Sequence, residues 1–278
     1  MPELPEVETI VHDLSPVVTG RTLTSPRLHH ADVLRQVSKA RLLHVLHGNR
    51  IEGLERRAKH VVVRLQSGER LVIQLRMTGS LVVYPAHLTD DERRYAVLQI
   101  GLRGAGQLVF RDVRRLGTIW LLDDEGWLAY TQRIGPEPLE DDFTSTQFAR
   151  QMQDSRQAIK KVLMDQRRLA GVGNIYANEA LFRARLDPSR PANRISQSQY
   201  RSLFRSVRAV LREAIRAKGT TVRDYRTGTG QEGSFQRVLR VYGRGGMPCR
   251  RCRTTLTTTH AIDGRATTFC WRCQGVRR

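Results

Sequence analysis

Met1-Pro2-Glu3-Leu4-Pro5-Glu6-Val7-Glu8-Thr9 opens the chain, and it both starts a helix and places an imino acid where removal of Met1 exposes it. Pro5 suits the first helical position, and Glu6 and Glu8 fall in the first turn, where the helix dipole favours acids. Val7, Ile10, Val11 and Leu14 recur at i, i+3, i+4 and i+7, which predicts one buried stripe of an amphipathic helix ending near Pro16 to Gly20. Such a helix anchors the terminus against a core, so Pro2 and Glu3 are held rather than frayed. Pro2 is small enough that Met1 is normally removed. The new terminus is then a secondary amine, and an α-amino group has a pKa of about 7.7 to 8 against about 10.4 for lysine. A useful fraction is therefore nucleophilic at neutral pH. Attack on a sugar C1′ gives an iminium that is already cationic, an electron sink for later eliminations, and Glu3 stands beside it as a proton carrier.

The rest of the composition names the class of partner. A net charge of +20 over 278 residues, with a pI near 11.0, calls for a polyanion, and no apolar run is long enough to span a bilayer, so nucleic acid is expected rather than a membrane. Ribosomal proteins share this profile, so charge alone names no function. Only Lys39, Lys59, Lys160, Lys161 and Lys218 are lysine; the other 42 of the 47 basic residues are arginine. Each lysine is thereby marked, because a compact ammonium and a planar guanidinium are not interchangeable. The start lacks the basic and apolar regions of a signal peptide, so a cytoplasmic protein is expected.

Residues 21 to 129 read as short strands, including Val61-Val62-Val63, Leu71-Val72-Ile73 and Leu81-Val82-Val83-Tyr84, with hairpin turns at Ser67-Gly68 and Gly104-Ala105-Gly106. This spacing suggests a β-sandwich or barrel. Ile134-Gly135-Pro136-Glu137-Pro138-Leu139 and the acids that follow break the pattern. From about 144 to 218 the period is helical, with Ile159, Val162 and Leu163 on one helix and Leu203, Val207, Val210, Leu211 and Ile215 on a long one. Between them, Gly171-Val172-Gly173-Asn174 fits a tight turn opening a helix, either a phosphate grip or a capped surface turn. The polar, glycine-rich stretch from Gly219 to Ser234 reads as a loop.

All four cysteines lie near the end: Cys249 and Cys252, seventeen intervening residues, then Cys270 and Cys273. That spacing in a reducing compartment predicts one tetrahedral zinc. Four thiolates leave no open position for a catalytic water, so the metal is expected to fold a small hairpin, with Arg265 as its nucleic-acid contact.

Taken together, Pro2 to Thr9, the Asn174 turn and the four-cysteine array resemble the bacterial formamidopyrimidine-DNA glycosylases, over roughly residues 2 to 273. The resemblance implies an α+β fold of two domains: an N-terminal β-sandwich with an N-terminal helix, and a helical helix-two-turns-helix domain ending in a four-cysteine zinc hairpin. The expected division is a catalytic domain over 1–133, a linker over 134–143, a DNA-binding domain with a lesion loop over 144–235 and the zinc hairpin over 236–278. No sustained heptad or interface stripe appears, so a monomer is expected; the resemblance further implies excision of oxidised purines from double-stranded DNA, followed by cutting of the abasic site. Pro2 would be the nucleophile, Glu3 the proton-handling group at the deoxyribose, Glu6 a supporting residue, and Lys59 a phosphate contact beside the lesion. Asn174 and Arg265 match the pair that grips phosphates around the flipped nucleotide, Lys160 is a further DNA-binding candidate, and the loop from Thr220 to Ser234 would close over the extruded base.

Base extrusion leaves a hole in the stack. Gln74 to Ser80 resembles the segment whose methionine, here Met77, fills it; Asp112 to Gly117 resembles the segment that addresses the opposite base. There Arg114 remains, but Leu116 replaces a phenylalanine and Val113 a proline, and Gln74 stands where histidine is common. Leucine still wedges a base step but forgoes aromatic stacking. The rival readings are an endonuclease VIII-type enzyme for oxidised pyrimidines and a non-catalytic zinc-containing nucleic-acid-binding protein; the latter gives no reason for an imino terminus beside Glu3.

Overall fold

The computed structural model describes residues 2–85, 88–220 and 233–275. The chain forms two compact units, Met1–Gln132 with Ala217–Gln236, and Arg133–Arg216 with Arg237–Arg278. The division expected from the sequence groups 217–235 with the helices; here its described ends belong to the first unit, where the Thr220 N–H is bonded to Glu6.

In the first unit, α1 runs Leu4–Val18 and starts one residue earlier than expected, with Glu3 as N-cap and Pro5 still in the first turn. Leu4, Val7, Ile10, Val11, Leu14 and Val18 are buried, each contributing roughly 1.5 to 3 kcal/mol when fully removed from water. Then follow β1 (Leu23–Leu28), α2 (Lys39–Leu46), β2 (Ile51–Arg57), β3 (His60–Leu65), β4 (Arg70–Gln74), β5 (Gly79–Tyr84), α3 (Asp90–Arg94), β6 (Ala96–Leu102), β7 (Gly106–Asp112), β8 (Thr118–Leu122) and α4 (Asp124–Thr131). The strands make two four-stranded antiparallel sheets, β1-β6-β7-β5 and β2-β3-β4-β8. One apolar core takes Val61, Val63, Leu71 and Ile73 from one sheet, Leu81, Leu98, Ile100 and Phe110 from the other, and the inner face of α1. This is the expected sandwich, and both hairpin turns fall where the glycines place them, Gly68 at φ +91° and Gly106 at +84°.

Three short helices interrupt the stretch read as strands. Each is nucleated by a local cap: Ser38 accepts from Arg41 N–H, Thr89 and Glu92 form a capping box, and Asp123 accepts from Gly126 N–H. A cap outweighs a weak apolar period in so short a window, and α4, with no buried residue, has no period to read.

The second unit contains α5 (Ser145–Met152), α6 (Ile159–Leu163), α7 (Asn174–Ala184) and α8 (Gln197–Arg216), then β9 (Thr257–Thr259), β10 (Thr267–Phe269) and α9 (Trp271–Gln274). Phe143, Phe148, Tyr200 and Phe204 pack edge-on or tilted between α5 and α8, with centroids 5.4 to 6.5 Å apart. The antiparallel β9–β10 hairpin packs through Cys249, Leu256 and Cys270 against Phe182 of α7.

Candidate active site and nucleic-acid interface

In the first unit, Pro2 and Glu3 are buried at the start of α1. They are held by a reciprocal capping box: the Glu3 N–H donates to Glu6 Oε2 at 2.8 Å, and the Glu6 N–H donates to the Glu3 side chain. The other Glu6 oxygen, Oε1, accepts from the Thr220 N–H at 2.7 Å. Gly219, at φ +79°, lies so close that an added Cβ would sit 3.0 Å from Glu6 Cγ and Oε1, so both conformation and space call for glycine there. Glu6, 1% exposed, thus ties the terminus to Thr220; Met1 and residues 221–232, on which most of the expected lesion loop falls, lie outside the described residues.

Lys59 occupies the β2–β3 turn and is 7% exposed. The turn is braced from both sides. Glu8 of α1 holds Arg56 Nε at 2.6 Å, and Arg56 in turn donates to the Ala58 carbonyl at 3.1 Å; Ala58 sits at φ +53°. On the other side, His60 Nδ1 lies 3.0 Å from the Arg57 carbonyl and Nε2 lies 2.9 Å from the Tyr130 hydroxyl. Burial pushes the His60 pKa down to about 4, so the ring is neutral, donating from Nδ1 and accepting the Tyr130 proton at Nε2. Desolvation raises the Tyr130 hydroxyl as well. Neither His60 nor Tyr130 is singled out by sequence reasoning, because their pairing spans 70 residues.

Met77, Val113 and Leu116 are exposed at 48%, 54% and 42%, three of the six large exposed apolar side chains among the described residues. Their segments leave neighbouring strands β5 and β7, where Gly79 pairs with Asp112. Asp112, 1% exposed, organises them: its Oδ1 accepts from Thr78 Oγ1 and, at 3.2 Å, from the Arg114 N–H, while Oδ2 accepts from the Gly117 N–H at 2.7 Å. The Arg114 guanidinium lies 3.6 Å from Met77 Sδ. Exposed apolar side chains gathered on two segments that flank paired strands are more apolar surface than scattered single residues. Sequence reasoning misses Asp112 as an organiser; a buried acid announces itself only through its three partners.

In the second unit, Gly173 caps α7 and Asn174 opens it. Asn174 Nδ2 donates to the Ala266 carbonyl at 3.1 Å, next to Arg265, whose side chain is exposed. Asn174 and Arg265, 91 positions apart, are therefore neighbours. Lys160 is not with them on the surface. Its side chain is 0% exposed, with Nζ 2.8 Å from Thr267 Oγ1 and 3.3 Å from Asp263 Oδ1, so its expected place on DNA is corrected to a place inside the fold. Glu179 is a second buried charge: its carboxylate accepts the N–H groups of Arg240, Val241 and Tyr242 at 2.9 to 3.1 Å, and desolvation raises its pKa.

The sulfur atoms of Cys249, Cys252, Cys270 and Cys273 lie within 4.8 Å of one another, with Cys249 to Cys273 at 4.0 Å and Cys252 to Cys270 at 3.4 Å. A tetrahedron with metal–sulfur bonds of about 2.3 Å has edges of about 3.8 Å, so these residues can hold a metal ion.

Residues 1–119 match the formamidopyrimidine-DNA glycosylase N-terminal domain, and residues 134–226 match the H2TH domain of the same enzymes. The chain is 42% identical to the formamidopyrimidine-DNA glycosylase of Thermomicrobium roseum over 99% of both chains, and 40% identical to that of Chloroflexus aurantiacus over 99% of this chain and 98% of the relative. The crystal structure of MutM (Fpg) from Thermus thermophilus superposes with a TM-score of 0.88 at 38% identity, covering 100% of both chains. Lactococcus lactis Fpg, in complex with DNA containing an abasic site, superposes with a TM-score of 0.89 at 32% identity, covering 98% of this chain and 99% of that one. The chain belongs to the formamidopyrimidine-DNA glycosylase family. No helix among the described residues is long and apolar enough to cross a membrane.

Proposed function

We propose that the protein excises oxidised purines, 8-oxoguanine and formamidopyrimidines, from double-stranded DNA and then cleaves the abasic strand by β,δ-elimination. The observation that carries this reading is the buried Pro2-Glu3 pair, held by Glu6 at the start of α1. With Met1 removed, the Pro2 nitrogen lone pair attacks C1′; the glycosidic bond breaks and the base leaves with the bonding pair. Ring opening gives an iminium between Pro2 and C1′, with Glu3 carrying the proton to and from the ring oxygen. Removal of a C2′ proton sends its bonding pair into the iminium to give an enamine, which returns those electrons to expel the 3′ phosphate with the C3′–O pair; a second elimination expels the 5′ phosphate.

Lys59 supports this as a phosphate contact, Met77, Arg114 and Leu116 as the group that fills the vacated stack, and Asn174 with Arg265 as a phosphate grip from the second unit. A zinc ion on Cys249, Cys252, Cys270 and Cys273 supplies folding energy and no chemistry. The expected working state is a cytoplasmic monomer on DNA.

Borohydride trapping tests the reading. A labelled duplex with one 8-oxoguanine opposite cytosine is incubated with protein whose terminus has been checked by intact mass, then reduced. The expected result is a covalent adduct that disappears in Pro2→Gly while duplex affinity stays within about threefold. No adduct with this duplex, but one with an oxidised pyrimidine, would assign the chain to the endonuclease VIII type of chemistry.

A further inference from the structure

The ammonium of Lys160 belongs to a closed ring of polar groups around Arg265. Lys160 Nζ lies 3.3 Å from Asp263 Oδ1 and 2.8 Å from Thr267 Oγ1. The same Asp263 oxygen accepts the Arg265 N–H at 3.1 Å, and the same Thr267 hydroxyl lies 3.3 Å from the Arg265 carbonyl, to which it donates. Both polar groups of the Arg265 backbone are thus bonded to the two side chains that Lys160 holds. One residue further on, the Ala266 carbonyl is held by Asn174. The Arg265 guanidinium projects outward, its Nη1 4.0 Å from Met164 Sδ just beyond α6, the helix that carries Lys160.

The burial makes the ring stiff. The Lys160 side chain is 0% exposed and that of Asp263 is 6% exposed. An ammonium so desolvated requires its counter-ion, which fixes the Asp263 rotamer and with it the acceptor for the Arg265 N–H. Net stability is a poor reason for such a pair, since well-packed apolar residues serve as well. Placement of a neighbour is a better one.

We propose that Lys160, Asp263 and Thr267 are positioning residues that set the backbone of Arg265, so that an exposed, flexible side chain meets a DNA phosphate from a fixed root. This rests on the reading of Arg265 as a DNA contact, and the experiment separates the two.

The probe is a duplex carrying one tetrahydrofuran abasic-site analogue, titrated across a range of salt with protein of verified zinc content. Arg265→Ala should raise Kd about tenfold and lower the salt slope by about one, the signature of one lost phosphate contact. Lys160→Met with Asp263→Leu removes both charges and the acceptor at constant net charge; it should match Arg265→Ala in Kd and slope, and adding Arg265→Ala should cost nothing more. Lys160→Met with Asp263→Asn restores an acceptor for the Arg265 N–H without an ion and should bind within about twofold of wild type.

If Arg265→Ala leaves Kd and slope unchanged, the DNA reading of Arg265 fails. If Arg265→Ala weakens binding while the Leu and Asn double variants bind alike, the positioning role is overturned. Should the Leu variant lose zinc, Thr267→Val keeps the Lys160–Asp263 pair and removes the hydroxyl that accepts from Lys160 and donates to the Arg265 carbonyl; a loss of about threefold upholds the proposal and wild-type binding overturns it.

Discussion

The two candidate sites place their key residues by opposite means. At the terminus, Glu6 holds a backbone N–H only three positions away, inside the first turn of one helix. In the zinc-hairpin region, Arg265 is set by Asp263 and Thr267, which are in turn gripped by Lys160 from more than 100 positions away, beside a four-cysteine cluster that gathers residues 24 positions apart. The first arrangement is secondary structure turned to use. The second exists only when the unit is folded, so its placement depends on long-range groups. A backbone N–H inside one helical turn is fixed by local hydrogen bonds; an exposed loop residue such as Arg265 is fixed by parts brought from far along the chain.

Metal removal should break this contrast most sharply. Structural zinc contributes about 10 kcal/mol or more in isolated fingers at neutral pH. Chelation, or Cys270→Ser, should therefore melt the hairpin and weaken duplex binding at least about 100-fold, while the first unit keeps its own transition in calorimetry; loss of both transitions together would show that the local site is not local. Glu6→Ala attacks the other side. It leaves the Glu3 and Thr220 N–H groups without this acceptor, at roughly 1 to 3 kcal/mol for each buried donor, so denaturant midpoints should fall and the trapping rate should fall with them, at unchanged zinc content. Equal stability and rate would mean that water or neighbours replace the carboxylate.

Acid should act on the brace behind Lys59. The His60 pKa is about 4 in the folded protein against 6.5 ordinarily, so the unfolded chain binds the proton first. The stabilisation is therefore fully present above about pH 6.5 and is lost as pH falls towards 4. Between pH 7 and 5 it amounts to about 2 kcal/mol. His60→Gln should flatten that part of the stability profile measured by urea unfolding; an unchanged profile would assign the loss to other histidines. Leu116→Phe should have the smallest effect, tightening lesion-duplex binding by about 1 kcal/mol through restored stacking, and equal affinity would remove stacking from the account of this position.

Legibility in the sequence follows the same divide. The stripe Val7, Ile10, Val11, Leu14 and the spacing of the four cysteines are local or near-local patterns, and α1 and the cysteine cluster form where they indicate. The Gly171 to Asn174 turn opens α7 for the same reason. Lys160 reads as a surface charge because nothing within ten residues of it is acidic except Asp154 and Asp165; its partner Asp263 comes from the hairpin. Tyr130, Asp112 and Glu179 escape notice because a single acid or tyrosine has no pattern until its partners are assembled. Helices α2, α3 and α4 are hidden by their brevity, their caps being stronger signals than their faces.

The bond from Thr220 to Glu6 spans 214 positions. During synthesis the amino end emerges first, yet the Glu6 carboxylate acquires the Thr220 donor only once the chain has been extended by those 214 positions. The nascent chain therefore passes through a long period in which Glu6 lacks this long-range partner. Order of manufacture thus sets the local half of this junction before the distant half can exist.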